Sequence, residues 1–328
     1  MTNDNTMRAI TCLKHGPPSI LQLEKVEKPT PNENEVLIKN YGSSINTVDI
    51  FDRGGAPKFF GRGIKFLVRL MMGMGKPKHK IVGCGFCGEI VSVGNEVKNW
   101  KVGDEVYGYS EAGGACAEYL AVPAEIIARK PSNISFHEAA AVPGGASPAV
   151  IALRDVVQPK QGQKILIIAA SGGIGTFGVQ IAKNVYGAEV TGVCGPDNLE
   201  MVRNIGADHV IDYTKEDYTN GNLKYDIIFD AIGVSTFKEC EKILKETGIF
   251  VTANPIARPG NMFKMSNSRF KSFTADESTA TMDQLRDWIE SGKIKPVIDT
   301  IYPLEKTAEA HKHYETGHSK GRVVISIE

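Results

Sequence analysis

The segment Lys164-Ile-Leu-Ile-Ile-Ala-Ala-Ser-Gly-Gly-Ile-Gly-Thr-Phe-Gly178 restricts the fold of this chain more than any other. An apolar run enters a glycine cluster, and the cluster opens an amphipathic segment, Val179 to Tyr186. That order predicts a buried strand, a tight turn and a helix. Small residues at Ala170, Gly172 and Gly175 occupy the three positions of a dinucleotide-binding turn. The first permits the turn, the second lets backbone approach a pyrophosphate, and the third lets the helix pack closely on the strand. Ser171, Gly172, Gly173, Ile174 and Gly175 are therefore the expected phosphate contacts. The first helical turn offers them unpaired N–H groups and the positive end of its dipole.

Ala188-Glu-Val-Thr-Gly-Val-Cys194 reads as a second strand. Its tip lies about 20 residues past the glycine cluster, where a carboxylate would hold the ribose 2′-OH of NAD. Cys194 stands there, with Gly195, Pro196 and Asp197 after it. A tip without its own carboxylate does not repel a 2′-phosphate, which favours NADPH over NADH. No Arg or Lys occurs between Gly195 and Met201, and Arg203 reads as a solvated helix face. Further strands, His209-Val-Ile-Asp212, Tyr225-Asp-Ile-Ile-Phe-Asp-Ala231 and Gly248-Ile-Phe-Val-Thr252, alternate with helical segments, one of them Thr236 to Glu246. The pattern predicts an α/β Rossmann fold with a doubly wound parallel sheet. Gly233 and Asn254 follow two of these strands, at the carboxyl ends where such sheets meet a ligand, and are expected to contact cofactor.

A chain of 328 residues is long for one core. Its first part differs from the middle: short strands such as Glu35-Val-Leu-Ile-Lys39, Gly88-Glu-Ile-Val-Ser-Val93 and Ala117-Glu-Tyr-Leu-Ala-Val122 are punctuated by glycine turns. A mostly β domain over 1–125, joined by the final strand Gly321-Arg-Val-Val-Ile-Ser-Ile327 within 296–328, is expected to accompany a dinucleotide-binding domain over 126–295. Lys and Arg number 38 and Asp and Glu number 38, which gives no basic footprint for nucleic acid. The apolar segment Ile64 to Gly73 is too short to span a bilayer. Met1 to Thr6 is polar and unlike a secretory leader, and six cysteines make no disulfide framework, so a reducing cytoplasm is expected.

With these pieces placed, the chain resembles the medium-chain dehydrogenase/reductase superfamily, in its zinc-free quinone oxidoreductase branch. Ser44-Ile-Asn-Thr-Val-Asp-Ile-Phe-Asp-Arg-Gly54 is similar to the family's SVNPxDxxxRxG segment. Ile81-Val-Gly83 with Gly88 to Gly94, Gly114-Ala-Cys-Ala-Glu-Tyr119 and Glu138-Ala-Ala-Ala-Val-Pro143 resemble its ILGxDFAGxVxxVG, GAYAEY and EAAALP motifs. The resemblance implies a GroES-like β domain, a substrate cleft between two domains, and a homodimer formed through an edge strand near Arg269 to Ala275. Phe59 to Lys80 resembles a subgroup with an added helical segment, and Met71, Met72 and Met74 in it read as packing or as a substrate mouth.

The resemblance also locates the zinc positions of alcohol-dehydrogenase relatives. Asn46, Cys84 and the Pro143-Gly144 pair stand there, so no zinc is expected. Cys84 and Cys87 form a CxxC without a second pair and read as packed thiols. Without a metal, conjugate reduction of an enone or reduction of a quinone fits best, since the developing oxyanion needs only hydrogen-bond donors. Asn46 matches the nicotinamide-side position and is the expected donor, and Asp49 and Arg53 in the same motif read as an ion pair, a cleft wall or an acid–base pair. Many relatives carry Tyr where this chain has Phe51, which leaves the proton donor open among Tyr41, Tyr107, Tyr109 and solvent. Pro148 replaces a Thr that lies by the nicotinamide in relatives. Tyr213 and Asn198 are expected around the adenosine phosphate. Arg322 reads either as a 2′-phosphate contact or as an exposed strand charge. His311, His313 and His318 read as solvated. The expected activity is reduction of a quinone or enone with NADPH. The alternatives are a zinc-free alcohol dehydrogenase or enoyl reductase variant, and a nucleotide-binding sensor with little catalysis.

Overall fold

Two compact units make up the chain, residues 1–144, 277–286 and 298–328 in the first and 145–276 and 287–297 in the second. The computed structural model describes residues 5–55, 77–262, 264, 266–275 and 277–328. Met71, Met72, Met74 and most of the expected added helix lie outside the described residues. The boundary near 144 is later in the chain than the expected 125. The reason is pairing: strand Ile127–Arg129 adds to the sheet of the first unit, and the helix Phe136–Ala140 is anchored there by a Ser135–Glu138 capping box.

In the first unit, β1 (Thr6–Thr11) pairs antiparallel with β2 (Gln22–Glu27). The main sheet is built from β3 (Glu35–Ser44), β4 (Gly85–Val93), β5 (Glu105–Tyr109), β6 (Tyr119–Pro123) and β7 (Ile127–Arg129). Val36, Ile38, Phe86, Ile90, Val106 and Leu120 share one buried cluster. Alternation along these strands puts them on one face, so burial of that face sets the register.

The second unit starts from β8 (Lys164–Ile168), where Ile165 to Ile168 are all buried, as a central parallel strand requires. β9 (Glu189–Cys194) and β10 (His209–Asp212) extend the sheet on one side. On the other side lie β11 (Tyr225–Asp230), β12 (Leu244–Thr252) and β13 (Phe270–Ser272). All these pairs are parallel, in the order β10-β9-β8-β11-β12-β13. The chain reverses its direction of build between β8 and β11, which opens a crevice at their carboxyl ends. The helix expected over Thr236 to Glu246 is shorter: Phe237–Cys240 continues as a 3₁₀ turn, and β12 already begins at Leu244.

The chain then returns to the first unit, where β14 (Ile298–Pro303) pairs parallel with β15 (Arg322–Ser326). β15 runs antiparallel to the end of β3, with Val324 opposite Ser44. Among the described residues no helix is long and apolar enough to cross a membrane.

Candidate functional site

The first unit holds a buried polar cluster where β3 ends and the helix Thr47–Gly54 begins. The register of β15 on β3 delivers Arg322 to this point. Only 2% of Arg322 is exposed, and its Nη2 donates to Asn46 Oδ1 at 2.5 Å, Ser44 Oγ at 3.0 Å and the Pro143 carbonyl at 3.3 Å. Neither sequence reading of Arg322 therefore stands. It is not an exposed charge, and its guanidinium is bound inside the first unit rather than free for a 2′-phosphate. Arginine has no acceptor, so Asn46 must turn its oxygen toward it. The Asn46 amide nitrogen consequently donates to the Ser44 carbonyl at 2.9 Å.

Asp49 folds back onto the start of its own helix and accepts the Asn46 N–H at 2.7 Å. Cys84 neighbours both Asp49 and Tyr109. The antiparallel register of β4 and β5 sets Tyr109 opposite Gly85, next to Cys84. Burial pushes the Asp49 carboxyl up to about 6, against the Asn46 N–H, the Cys84 thiol and Arg322, which hold it down. Burial pushes the Cys84 thiol and the Tyr109 phenol well above their ordinary ranges, so both are neutral.

Arg53 does not pair with Asp49, although the four-residue spacing allows it. Its Nη2 forms an ion pair with Glu315 at 3.0 Å, its Nε reaches His311 Nδ1 at 3.3 Å, and its Nη1 donates to the Gly16 carbonyl. These contacts tie the helix Thr47–Gly54 to the segment after β14, so Arg53 leaves the list of candidate chemical groups. His311 is fully buried rather than solvated, and burial, with Arg53 second, pushes its imidazole down to about 3.

Gly144 closes the cluster. Its φ is +71°, and a Cβ there would lie 2.3 Å from Asn46 Oδ1 and 3.0 Å from the Tyr109 ring. Its N–H donates to Glu277 Oε1 at 3.1 Å. The missing side chain lets Asn46 Oδ1 and the Tyr109 ring pack directly against the Gly144 backbone. Sequence reading marked Asn46 and Asp49 but passed over Cys84, Tyr109, Ser44 and Glu277 as members of one cluster. The cysteine between two glycines, Gly83-Cys84-Gly85, was the available signal.

The raised Asp49 carboxyl has a consequence for stability. A folded carboxyl above its unfolded value binds its proton more tightly in the native state, so its contribution is full below the ordinary carboxylate range and is lost as pH rises to about 6. The loss is roughly 3 kcal/mol, from about two units at 1.36 kcal/mol each. His311 acts in the opposite sense, losing stability as pH falls below the ordinary histidine range. We expect the stability difference between wild type and Asp49→Asn, followed by urea unfolding from about pH 4 to pH 7, to shift steadily against wild type as pH rises. A flat difference would refute the assignment.

The second unit contains the turn after β8. Ala169 has φ +61°, and a Cβ at Gly175 would lie 2.1 Å from the Ala169 carbonyl oxygen. The turn therefore needs glycine where helix meets strand. Asn198 Nδ2 donates to Ser171 Oγ at 3.2 Å, while its buried Oδ1 has no partner among the described residues. Tyr213, 51% exposed, donates its backbone N–H to the Cys194 carbonyl, and its hydroxyl lies beside Gly195. Burial and then Asp212 push the Cys194 thiol up to about 11, so the tip of β9 carries no charge of its own. At the tip of β11 the buried Asp230 carboxylate accepts the N–H groups of Gly233 at 2.8 Å and Ser235 at 2.7 Å. Gly233, at φ +76°, packs against Asn254. Pro148 is buried in the first turn of the helix Ala146–Val150, where its missing N–H costs no helical bond. An unpartnered amide oxygen, an exposed aromatic ring and open backbone at a switch point fit a dinucleotide phosphate and ribose.

Residues 32–132 match the alcohol dehydrogenase GroES-like domain family, and residues 205–325 match the zinc-binding dehydrogenase family. The chloroplastic NADPH-dependent alkenal/one oxidoreductase of Arabidopsis thaliana is 34% identical over 97% of this chain and 79% of its own length. The chain belongs to the medium-chain dehydrogenase/reductase superfamily. It is an oxidoreductase of the nicotinamide-dependent kind. Another superfamily member, the 2-methylene-furan-3-one reductase of Solanum lycopersicum, is 33% identical over the same shares. The quinone oxidoreductase structure from Coxiella burnetii superposes with a TM-score of 0.87 at 28% identity, covering 98% of this chain and all of that one. The superfamily's two-part architecture is thus present, with the GroES-like β domain in the first unit and the Rossmann sheet in the second.

Proposed function

We propose that the protein reduces α,β-unsaturated carbonyl compounds and quinones with NADPH, and that it does so without a catalytic zinc. The observation that carries the reading is the cluster at Asn46: Asn46, Cys84 and the Pro143-Gly144 pair stand at the zinc positions of relatives, and the buried Arg322 guanidinium is bonded to Asn46 among them. A cation fixed 2.5 Å from Asn46 opposes a second, doubly charged cation beside it. The matched zinc-binding dehydrogenase segment begins at residue 205, after Asn46, Cys84 and Pro143. The printed names of the Arabidopsis and tomato relatives support the substrate class.

Bound NADPH supplies the hydride. The residues of this chain handle the oxygen and the proton. In this reading Asn46 Nδ2 is the donor to the substrate oxygen, and Arg322 holds that amide in its orientation. Ser171, Gly172, Gly175, Asn198, Tyr213, Gly233 and Asn254 would hold the dinucleotide in the second unit. The neutral Cys194 tip carries no carboxylate to repel a 2′-phosphate, which favours NADPH. The chain also forms a homodimer in this reading, through the outer edge of β13, the last strand of its sheet. A light-scattering mass near 35.6 kDa rather than twice that value would remove the dimer.

The deciding assay follows absorbance loss of NADPH and NADH separately with enals, quinones and simple ketones, together with metal analysis of the purified protein. Turnover of enals or quinones with NADPH is expected. Ketone turnover alone, or one tightly held zinc per chain, would overturn the reading.

A further inference from the structure

β14 ends the sheet of the first unit, and its pairing with β15 carries one extra residue. Ile298 stands opposite Arg322 and Thr300 opposite Val323, which leaves Asp299 without a partner. In a regular strand residues 299 and 302 would point to opposite faces. The bulge re-aims Asp299, and both side chains meet His313 of the helix Thr307–Tyr314. The Tyr302 hydroxyl is 3.1 Å from His313 Nδ1, and Asp299 Oδ2 is 3.2 Å from His313 Nε2. The Tyr302 and His313 rings sit edge-on, with centroids 6.0 Å apart. His311, two residues earlier, meets the buried Arg53, so the helix turns one histidine inward and the other toward β14. The side chains of His313 and Asp299 are 27% and 17% exposed, so this cluster is open to solvent where the Asn46 cluster is not.

We propose that Tyr302 is a nucleophilic modification site that takes acyl groups from activated esters and acyl phosphates, with His313 as its base and Asp299 as a positioning residue. The arrangement is that of a nucleophile within hydrogen-bond reach of a base that a third group orients. With the Tyr302 hydroxyl donating to Nδ1, a neutral His313 carries its own hydrogen on Nε2, facing the Asp299 carboxylate. Asp299 is held in turn: Oδ2 accepts the Lys320 N–H at 3.2 Å, and Oδ1 accepts the Thr300 hydroxyl at 3.4 Å. In the step itself the Tyr302 oxygen bonds to the acyl carbon as the bond from that carbon to the leaving oxygen breaks. The phenol proton passes to His313 Nδ1 and from there to the leaving group. The imidazolium formed in between faces a carboxylate 3.2 Å away. The products are one tyrosyl ester and one phenol or phosphate, with nothing oxidised or reduced. The site is separate from the hydride chemistry proposed at Asn46.

The test treats the full chain with 4-nitrophenyl acetate, and in parallel with acetyl phosphate, and follows acetylated peptides over time by mass spectrometry. Tyr213, 51% exposed, is the internal comparison, since it is the more open phenol. Tyr302 should be acetylated at least about tenfold faster than Tyr213. Tyr302→Phe should remove that label and leave Tyr213 labelling unchanged. His313→Asn offers an amide oxygen to the phenol but cannot take its proton, and should lower Tyr302 labelling about tenfold or more. Asp299→Asn still accepts the Lys320 N–H but loses the charge, and should lower it about fivefold, with Asp299→Glu restoring most of the rate. Urea unfolding confirms that each variant is folded. Tyr302 labelled no faster than Tyr213 would overturn the proposal, as would a folded His313→Asn variant that labels at the wild-type rate. Wild-type labelling of Asp299→Asn would remove Asp299 from the site.

Discussion

Gly175→Ala is expected to lower unfolding stability by about 3 kcal/mol and to weaken NADPH binding by at least about 100-fold. The added methyl would lie 2.1 Å from the Ala169 carbonyl oxygen and 2.8 Å from Ala169 C and Ala170 Cα. All three are backbone atoms of the turn, so no rotamer change relieves the overlap. The helix must move off β8, and the N–H groups at its first turn move with it. The better helix propensity of Ala offsets only about 1 kcal/mol. Gly172→Ala is the internal control. Its methyl would meet only the Ala169 oxygen, at 3.4 Å, an ordinary contact. Stability should then change by less than about 1 kcal/mol, while the dinucleotide loses its close approach to backbone. Urea unfolding and fluorescence titration with NADPH separate the two effects. Equal stability of the two variants would show that the helix–strand contact is not what requires glycine.

Arg322→Met should cost at least about 3 kcal/mol, because it removes one member of a buried charged network and leaves its partners unpaired. Asn46 Oδ1, Ser44 Oγ and the Pro143 carbonyl would lose the donor that satisfies them. Asp49 would lose a nearby positive charge, so its carboxyl should rise further. Freed of the arginine, the Asn46 amide can flip, and turnover should fall by about 100-fold. Lysine should not rescue it, since a single ammonium cannot reproduce the fork. The folded fraction should bind NADPH and NADH with their wild-type ratio. A selective loss of NADPH affinity would instead restore the 2′-phosphate role that the sequence suggested for this residue.

Different residues of these two sites were legible to different degrees. The turn from Ala170 to Gly175 could be read because its physics is local: a strand, a tight turn and a helix within fifteen residues leave little freedom in what small residues there do. Asp49 and Arg53 do not form the ion pair that their shared motif allowed: Asp49 accepts the Asn46 N–H at the start of its own helix, and Arg53 pairs with the distant Glu315. His311 likewise departs from its expected place. A polar residue on a helix is usually solvated, but here it accepts from a buried arginine 258 positions earlier in the chain.

Order of elements, hydrophobic periodicity and glycine placement were sufficient for the Rossmann sheet, the β-rich companion and the position of the dinucleotide turn. Those features are encoded by neighbours in sequence, and their patterns survive without tertiary context. Whether Arg322 faced solvent or Asn46 depended on the register of β15 against β3, a pairing across 278 residues between Arg322 and Ser44. The meeting of Tyr109, Cys84 and Asp49 likewise needs β4 and β5 aligned and the helix Thr47–Gly54 turned inward. No local pattern specifies such a meeting. It is decided by burial, which forces each desolvated polar group to find a partner among whatever distant residues the fold brings beside it.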